Sequence, residues 1–285
     1  MDERIIDLYD KFARGGLNRR EFLDRLALLV GGSSAAAISP LLFRDIITTQ
    51  ITSDDDDRLT ISQAIWEAGD VILSGYLARL KGGQKRPAVI VIHENRGIND
   101  HIRDVTRRMA LDGFLALGVD MLSPVGGTPS DQNRAREMLS TLNAEETLIG
   151  LAAAVPFLSG HPESNGRVGA IGFCWGGGYA NQLAAAGTSL QASVPYYGRQ
   201  LPTDRVPDIT AAMCLQYAEL DRRINSGIAD YEAALKANNK TYELYMYEGA
   251  NHAFNNDSNP SRYHKEAAEL AWRRTVAFLH KHLDS

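Results

Sequence analysis

From Ala88 to the carboxyl end, the sequence alternates short apolar runs with longer amphipathic segments. The first run, Ala88–His93, is apolar and β-branched up to its last position, which is typical of a strand buried on both faces. Strands that alternate with helices predict a mostly parallel central sheet flanked by helices. We therefore predict an α/β fold, whose reactive groups should collect beyond the carboxyl ends of the strands.

The other predicted elements follow the same alternation. Two antiparallel strands, Ile61–Trp66 and Asp70–Ala78, come before the alternating region. Further strands are predicted at Phe114–Val119, Arg167–Phe173, Ala192–Tyr197, Ala212–Tyr217 and Tyr242–Tyr247. Helices are predicted at His101–Leu111, Ala144–Leu158, Gly176–Ala186, Ile228–Ala237 and Ser261–His282.

Composition narrows the class of partner. The 285 residues are 44% hydrophobic and 23% charged, which is enough apolar content to bury a full-sized core. The net charge of −5 argues against a nucleic-acid-binding protein, because such proteins normally carry a basic face. A small molecule is therefore the expected partner.

Residues 1–58 are interpreted as an extension before an α/β domain at residues 59–285. Within Asn18–Leu23, the pair Arg19 and Arg20 resembles the core of a twin-arginine export signal. The apolar stretch that follows is too weak for a stable membrane span, which needs about 20 apolar residues. The alternative is a pair of amphipathic helices packed on the domain. We favour export to the periplasm over a cytoplasmic location.

The segment Gly172–Gly178, with the sequence GFCWGGG, lies between a predicted strand and a predicted helix. It has the form G-x-C-x-G, the cysteine version of the nucleophile elbow. Gly172 and Gly176 would let strand and helix approach closely, and a helix starting after Cys174 favours its thiolate. The backbone N–H of Trp175 would be one oxyanion donor. The alternatives are a buried, inert cysteine and a phosphate-binding loop, but no Lys-Ser/Thr follows the glycines.

In proteins with this elbow, the chain order is nucleophile, acid, histidine. His252 follows the predicted strand Tyr242–Tyr247 directly, whereas His264 and His280 fall in the last predicted helix. His252 is therefore the predicted base. The predicted acid is Asp221, whose alternative role is to cap a helix; Glu219 is the second choice for the acid.

Taken in order, these motifs resemble the dienelactone hydrolase family of α/β-hydrolases from about Thr60 to the carboxyl end. Gly172–Gly177 matches the family's elbow, while Asp221 and His252–Phe254 match its acid and base. His93–Gly97, with the sequence HENRG, matches the loop after its third strand. The resemblance implies hydrolysis of a small ester or lactone through an acyl-thioester on the cysteine, with no metal and no organic cofactor.

The resemblance also implies roles for the HENRG loop. Glu94 would partner the resting cysteine and help to liberate its thiolate, and the N–H of Asn95 would be the second oxyanion donor. The alternative for Glu94 is a salt bridge to Arg96 or Arg103.

The sequence departs from the family at one substrate-binding position. Relatives that cleave dienelactone have an arginine four positions after the histidine, where it binds the substrate carboxylate; here the residue is Asn256. Asparagine lacks the charged, bidentate fork of arginine. Arg96, Arg134 and Arg199 are candidates to bind the carboxylate instead. The resemblance also implies a second substrate-binding arginine, for which Arg134 and Arg136, within a predicted lid at Ser130–Met138, are the candidates.

Three other functions compete with this interpretation. A cysteine peptidase of the papain type would have its cysteine near the mature start, which Cys174 is not. A ligand-binding protein without turnover has no need of a complete triad. A metalloenzyme is disfavoured because His93-Glu94 lacks the second histidine of H-E-x-x-H. The second cysteine, Cys214, falls within a predicted strand and is assigned to the core.

Overall fold

The computed structural model describes Arg25 and residues 52–284. From Thr52 onward the chain forms one compact unit. Both interpretations of the amino-terminal extension, the twin-arginine signal and the packed helices, fall on residues outside the described ones and stay predictions.

Eight strands form a single sheet. They are β1 (Leu59–Ala68), β2 (Val71–Leu80), β3 (Arg86–Ile92), β4 (Leu115–Asp120), β5 (Ser164–Phe173), β6 (Leu190–Tyr196), β7 (Ala212–Ala218) and β8 (Tyr242–Tyr247). Their order across the sheet is β1-β2-β4-β3-β5-β6-β7-β8. β2 pairs antiparallel with both neighbours, and every other pairing is parallel. The predicted mostly parallel sheet and the antiparallel pair before it are confirmed.

Seven α-helices connect or flank the strands in the described part of the chain. They are α1 (Asp100–Leu111), α2 (Gln132–Ser140), α3 (Ala144–Ser159), α4 (Trp175–Leu183), α5 (Arg222–Asn225), α6 (Ile228–Ala237) and α7 (Lys265–Leu283). Side-chain caps fix several starts: Asn99 Oδ1 accepts from the N–H of Ile102 at 3.1 Å, and Asn143 Oδ1 accepts from Glu145 N at 2.9 Å.

The core forms two layers, one on each face of the sheet. In β3, Ile90 and Ile92 face the layer that α3, α4 and α6 cover, whereas Val89 and Val91 face the layer that α1 and α7 cover. All four side chains are fully buried. The continuous apolar run in the sequence has this cause, because a central strand covered on both faces has no polar side.

The boundaries of the other predicted elements lie within three residues of those in the structure, but the last helix and the lid segment differ more. The last helix begins at Lys265 instead of Ser261, because His264 has extended backbone and accepts from the N–H of Ala267 as a cap. The predicted lid segment Ser130–Met138 contains the helix α2, which Asp131 caps and which buries Ala135 and Leu139.

Residues after Thr52 already pack on α1. The N–H of Thr52 donates to Asp104 at 2.7 Å, and its carbonyl accepts from Arg107 at 3.1 Å. Arg107 is fully buried and also forms an ion pair with Asp54. In the described part of the chain, no helix is long and apolar enough to cross a membrane.

The turn from β5 into α4 depends on two glycines. A Cβ at Gly172 would lie 2.1 Å from the carbonyl oxygen of Gly176, and a Cβ at Gly176 would lie 2.4 Å from that of His93. Real Cβ atoms do not approach backbone oxygens so closely. The predicted reason for these glycines, close approach of strand and helix, is therefore what the structure shows.

Replacing Gly176 by alanine should destabilise the protein, because backbone would have to move to admit the methyl group. Overpacking of this kind costs about 1–3 kcal/mol of the free energy of unfolding. The matched control is Gly178→Ala in the same helix, where the nearest atom to a Cβ is 3.8 Å away. Urea unfolding should show a loss for the first variant only; equal stability of the two variants would contradict this account of the turn.

Candidate active site

Loops from four parallel strands meet at one edge of the sheet. Glu94 follows β3, Cys174 follows β5, Asp221 follows β7 and His252 follows β8. Because these strands run in the same direction, their carboxyl ends lie at the same edge, which is where the sequence predicted a site.

Cys174 sits on the strained turn between β5 and α4. Its φ of 55° and ψ of −109° are unusual for a residue with a side chain. Its N–H donates to the carbonyl of Tyr196 at 3.1 Å, and its own carbonyl accepts from Gly178 at 3.1 Å. Tyr197 and Ala253, at the same edge, also have positive φ. Backbone strain of this kind concentrates at functional sites.

Asp221 and His252 are hydrogen-bonded to each other. His252 Nδ1 bonds to Asp221 Oδ2, and Asp221 Oδ1 accepts from the N–H of Ile224 at 3.3 Å. The carboxylate of Asp221 therefore bonds to the imidazole of His252 and also caps α5, so the two roles considered from the sequence do not exclude each other. Glu219, the second choice, instead accepts from the N–H of Gly249 at 2.8 Å.

Asp221 and His252 shift each other's pKa, and Cys174 adds to the shift of His252. Burial lowers the pKa of His252, but hydrogen bonds to Asp221 and Cys174 and the charges of both groups outweigh it and raise the pKa to about 9. Burial alone would raise the pKa of Asp221, yet the hydrogen bond and charge of His252 bring it below its usual value. A protonated imidazole beside a thiol favours the thiolate.

Glu94 is buried and bound by two neutral donors. Its Oε2 accepts from Asn256 Nδ2 at 2.7 Å, and its Oε1 accepts from the hydroxyl of Tyr197 at 3.4 Å. Burial, followed by the charges of Glu94 and Cys174, raises the pKa of Tyr197 well above its usual range, so this hydroxyl keeps its proton. Among the described residues, neither alternative partner pairs with Glu94: Arg96 donates to the carbonyl of Gln132, and Arg103 lies over the ring of Tyr76.

The side chain of Asn256 is hydrogen-bonded at both ends within the protein. Its side-chain oxygen accepts from both the N–H and the hydroxyl of Ser258, at 3.1 and 2.5 Å, so its NH₂ group faces Glu94. The residue is 7% exposed. The side chain at the predicted substrate-binding position therefore donates to Glu94, a carboxylate of the protein itself.

The two predicted oxyanion donors have no acceptor within the described residues. Neither the N–H of Asn95 nor that of Trp175 forms a backbone hydrogen bond there. The loop that carries Asn95 is braced, because Ile98 N donates to Thr128 Oγ1 at 3.0 Å and Arg96 donates to the carbonyl of Gln132 at 3.2 Å.

The loop that carries His252 is anchored on α1. Asp257 Oδ1 is hydrogen-bonded to His101 Nδ1 at 2.9 Å, and its other carboxylate oxygen lies 3.6 Å from Arg108. His101 is 2% exposed, so this anchor is largely shielded from water.

Two residues at the site were not singled out from the sequence. The ring of Tyr197 lies 5.0 Å from that of His252, and its hydroxyl reaches Glu94. His93 is fully buried and stacks on Trp175 at 5.2 Å. Both residues lie at the ends of predicted strands, which could have marked them as site residues. Aromatic and imidazole side chains at such positions are, however, equally typical of the hydrophobic core.

Other titratable candidates lie elsewhere. Cys214 is fully buried in β7, and burial raises the pKa of its thiol to about 12. His280 bonds to the carbonyl of Asp112 at 2.9 Å on α7. Arg134 is exposed and pairs with Glu137 at 3.4 Å, and Arg136 is also exposed on α2. Across residues 52–284, no group of three or more His, Cys, Asp and Glu side chains is arranged to hold a metal ion.

Comparison with known proteins agrees with this geometry. Residues 73–283 match the model of the dienelactone hydrolase family. A protein of Escherichia coli O157:H7 that is provisionally named carboxymethylenebutenolidase is 32% identical over 86% of this chain and 93% of its own length. A Bradyrhizobium protein, provisionally named 2-oxo-3-(5-oxofuran-2-ylidene)propanoate lactonase, is 34% identical over 73% of this chain and 89% of its own.

Solved structures show the same likeness. A protein of Klebsiella pneumoniae, provisionally titled a dienelactone hydrolase, superposes with a TM-score of 0.69 at 27% identity, covering 78% of this chain and 99% of that one. The dienelactone hydrolase of Anabaena variabilis superposes with a TM-score of 0.62 at 21% identity, covering 79% and 99%, and shows the shared fold. The chain therefore belongs to the dienelactone hydrolase family, has the α/β-hydrolase fold, and is a hydrolase that acts on esters or lactones.

Proposed function

We propose that the protein hydrolyses a small ester or lactone through an acyl-thioester on Cys174. The observation that carries the proposal is the hydrogen bond between Asp221 and His252, with Cys174 on a strained turn at the start of a helix and close enough to raise the pKa of His252. A nucleophile, a base and a group that orients the base are the parts that acyl transfer needs.

In the first half-reaction, the Cys174 thiolate adds to the substrate carbonyl carbon and forms a C–S bond. The carbonyl electrons move onto oxygen, which the N–H groups of Trp175 and Asn95 stabilise as an oxyanion. When the carbonyl re-forms, the C–O bond of the ester or lactone breaks. Protonated His252 then gives its proton to the leaving alkoxide, which for a lactone stays attached to the acyl group.

In the second half-reaction, neutral His252 removes a proton from a water molecule that attacks the thioester. The same two N–H groups stabilise the second oxyanion, and its collapse releases the acid and the Cys174 thiolate. Asp221 holds Nδ1 of His252 throughout, so Nε2 is the nitrogen that carries protons between the sulfur, the leaving group and water.

The surroundings of Glu94 support a neutral substrate. The side chains that contact its carboxylate, Asn256 and Tyr197, supply hydrogen bonds but no positive charge for a substrate carboxylate. A second candidate is a carboxylate-bearing lactone, which the printed name of the Bradyrhizobium relative specifies for that protein. The charge of the preferred substrate separates the two.

Cys174→Ala should abolish hydrolysis of p-nitrophenyl acetate, because loss of a triad nucleophile costs about 10⁴-fold or more in rate. Cys214→Ala is the matched control, since its thiol is buried in β7, and it should retain activity. Iodoacetamide should modify Cys174 and inactivate the folded wild type while leaving Cys214 unmodified. Near-native turnover by Cys174→Ala would show that another residue is the nucleophile.

The protonation of His252 should depend on Asp221. An NMR titration of the imidazole should give a midpoint near pH 9 in the wild type, and a lower midpoint in Asp221→Asn, where the charge that stabilises imidazolium is gone. The matched control is Glu219→Gln, because Glu219 bonds to Gly249 instead. An unchanged midpoint in Asp221→Asn, or a lowered one in Glu219→Gln, would reverse the assignment of the acid.

The wild type should prefer a methyl ester to the matched free acid, and Asn256→Arg should shift that preference toward the acid. A charge-assisted hydrogen bond to a carboxylate contributes roughly 1.5–3 kcal/mol, about 10- to 150-fold in kcat/KM. The measurement is kcat/KM for both compounds in both proteins. A wild type that already prefers the acid would overturn the neutral-substrate proposal, and alanine variants of Arg96, Arg134 and Arg199 would then locate the cation.

A further inference from the structure

His93 is the first residue of the HENRG loop, directly after β3, and its side chain is fully buried. Its Nδ1 lies 2.6 Å from the carbonyl oxygen of Glu94, and the N–H of Met121 donates to its Nε2 at 3.4 Å. A carbonyl oxygen can only accept, so Nδ1 carries the hydrogen and Nε2 is the acceptor. Burial lowers the pKa of His93, which keeps this neutral tautomer in place.

The hydrogen bond to the Glu94 carbonyl also fixes the N–H of Asn95. The two groups belong to one peptide unit, which is planar and trans, so its C=O and N–H point in opposite directions. With the carbonyl held toward His93, the N–H must point away from His93. That N–H is one of the two that have no acceptor within residues 52–284.

The imidazole ring also contacts the other donor-bearing residue. The rings of His93 and Trp175 are stacked, with centroids 5.2 Å apart and planes 7° apart. The Trp175 ring also lies 4.4 Å from that of Tyr179 in α4. One side chain therefore bonds to the peptide that carries the Asn95 N–H and packs against the residue that carries the second N–H.

We propose that His93 is a positioning residue that assembles the oxyanion hole, aligning the N–H of Asn95 by hydrogen bonding and Trp175 by stacking. This inference rests on the proposed acyl transfer. The Nδ1–H of His93 also polarises the Glu94–Asn95 peptide, which makes the N–H of Asn95 a better hydrogen-bond donor. Because His93 stays neutral, this contribution does not vary with pH as that of His252 does.

If His93 served only to stabilise the core, its variants would change kcat and the alkylation rate of Cys174 in a different way. Alkylation of Cys174 by iodoacetamide needs the thiolate but forms no oxyanion, whereas ester hydrolysis needs both. A defect in the oxyanion hole should therefore lower kcat and spare alkylation. A general loss of structure should lower both rates together.

Two variants separate the two contacts of His93. His93→Phe keeps a ring to stack on Trp175 but removes both hydrogen bonds. His93→Asn removes the ring but can place an amide N–H close to the position of Nδ1. The control is His282→Phe, which makes the same substitution at a partly buried histidine on α7, away from the site. If His93→Phe does not fold, His93→Gln replaces it, because its longer amide reaches the position of Nε2.

The measurements are kcat and KM for a p-nitrophenyl ester, expressed per Cys174 that iodoacetamide can titrate, and the alkylation rate itself. We expect His93→Phe to lower kcat by about 10²- to 10³-fold, as loss of an oxyanion donor does, with KM and alkylation within a few-fold of wild type. His93→Asn should recover most of kcat, and His282→Phe should match wild type.

Two results would overturn the inference: an unchanged kcat in His93→Phe, or equal losses of kcat and alkylation rate. The proposed function fails separately. If complete alkylation of Cys174 leaves wild-type hydrolysis intact, Cys174 is not the nucleophile, whatever the His93 variants do.

Discussion

The site depends on one close approach, that of Gly176 to the end of β3. A Cβ at Gly176 would lie 2.4 Å from the carbonyl oxygen of His93, so only glycine allows the first turn of α4 to rest on that strand. This contact sets the spacing between the turn that carries Cys174 and the loop that carries Glu94 and Asn95. The order of the strands places the other site residues. β3 and β5 are neighbours, and the loops after β7 and β8 reach the same edge of the sheet.

Much of this arrangement was predictable, because the signals are local. A strand buried on both faces must be continuously apolar, as β3 is, and a strained turn at a crowded crossing needs glycines, as the GFCWGGG segment shows. The histidine loop was identified by its position directly after a predicted strand and by the order of nucleophile, acid and histidine along the chain. These inferences used neighbouring residues or the order of motifs, and none needed the packing of distant segments.

What escaped prediction depends on contacts between distant segments. Tyr197 reaches Glu94 across 103 positions, and Asn256 reaches it across 162. The orientation of Asn256 is set by Ser258, whose hydroxyl carries no sequence signature for this role. From the sequence, His93 was recognised only as part of the HENRG motif. Its stacking on Trp175 could not be predicted without knowing how β3 and α4 pack. Side-chain networks of this kind become visible only once the strands are placed.

These networks also decide where the charges of the site lie. Glu94 is an 8% exposed carboxylate whose contacts are the neutral donors Asn256 and Tyr197, so it contributes negative charge near Cys174 without a cation of its own. The Cys174 thiolate of the proposed mechanism would need positive charge from elsewhere. The sources that the structure provides are the protonated imidazole of His252, whose pKa is raised to about 9, and the positive end of α4. In the proposed mechanism, the Asp221–His252 hydrogen bond therefore serves the nucleophile as well as the base, because the raised pKa of His252 keeps a positive charge beside the sulfur at neutral pH. An arginine at position 256 would add a second cation to this balance, so the asparagine there affects the charge of the resting site as well as the choice of substrate.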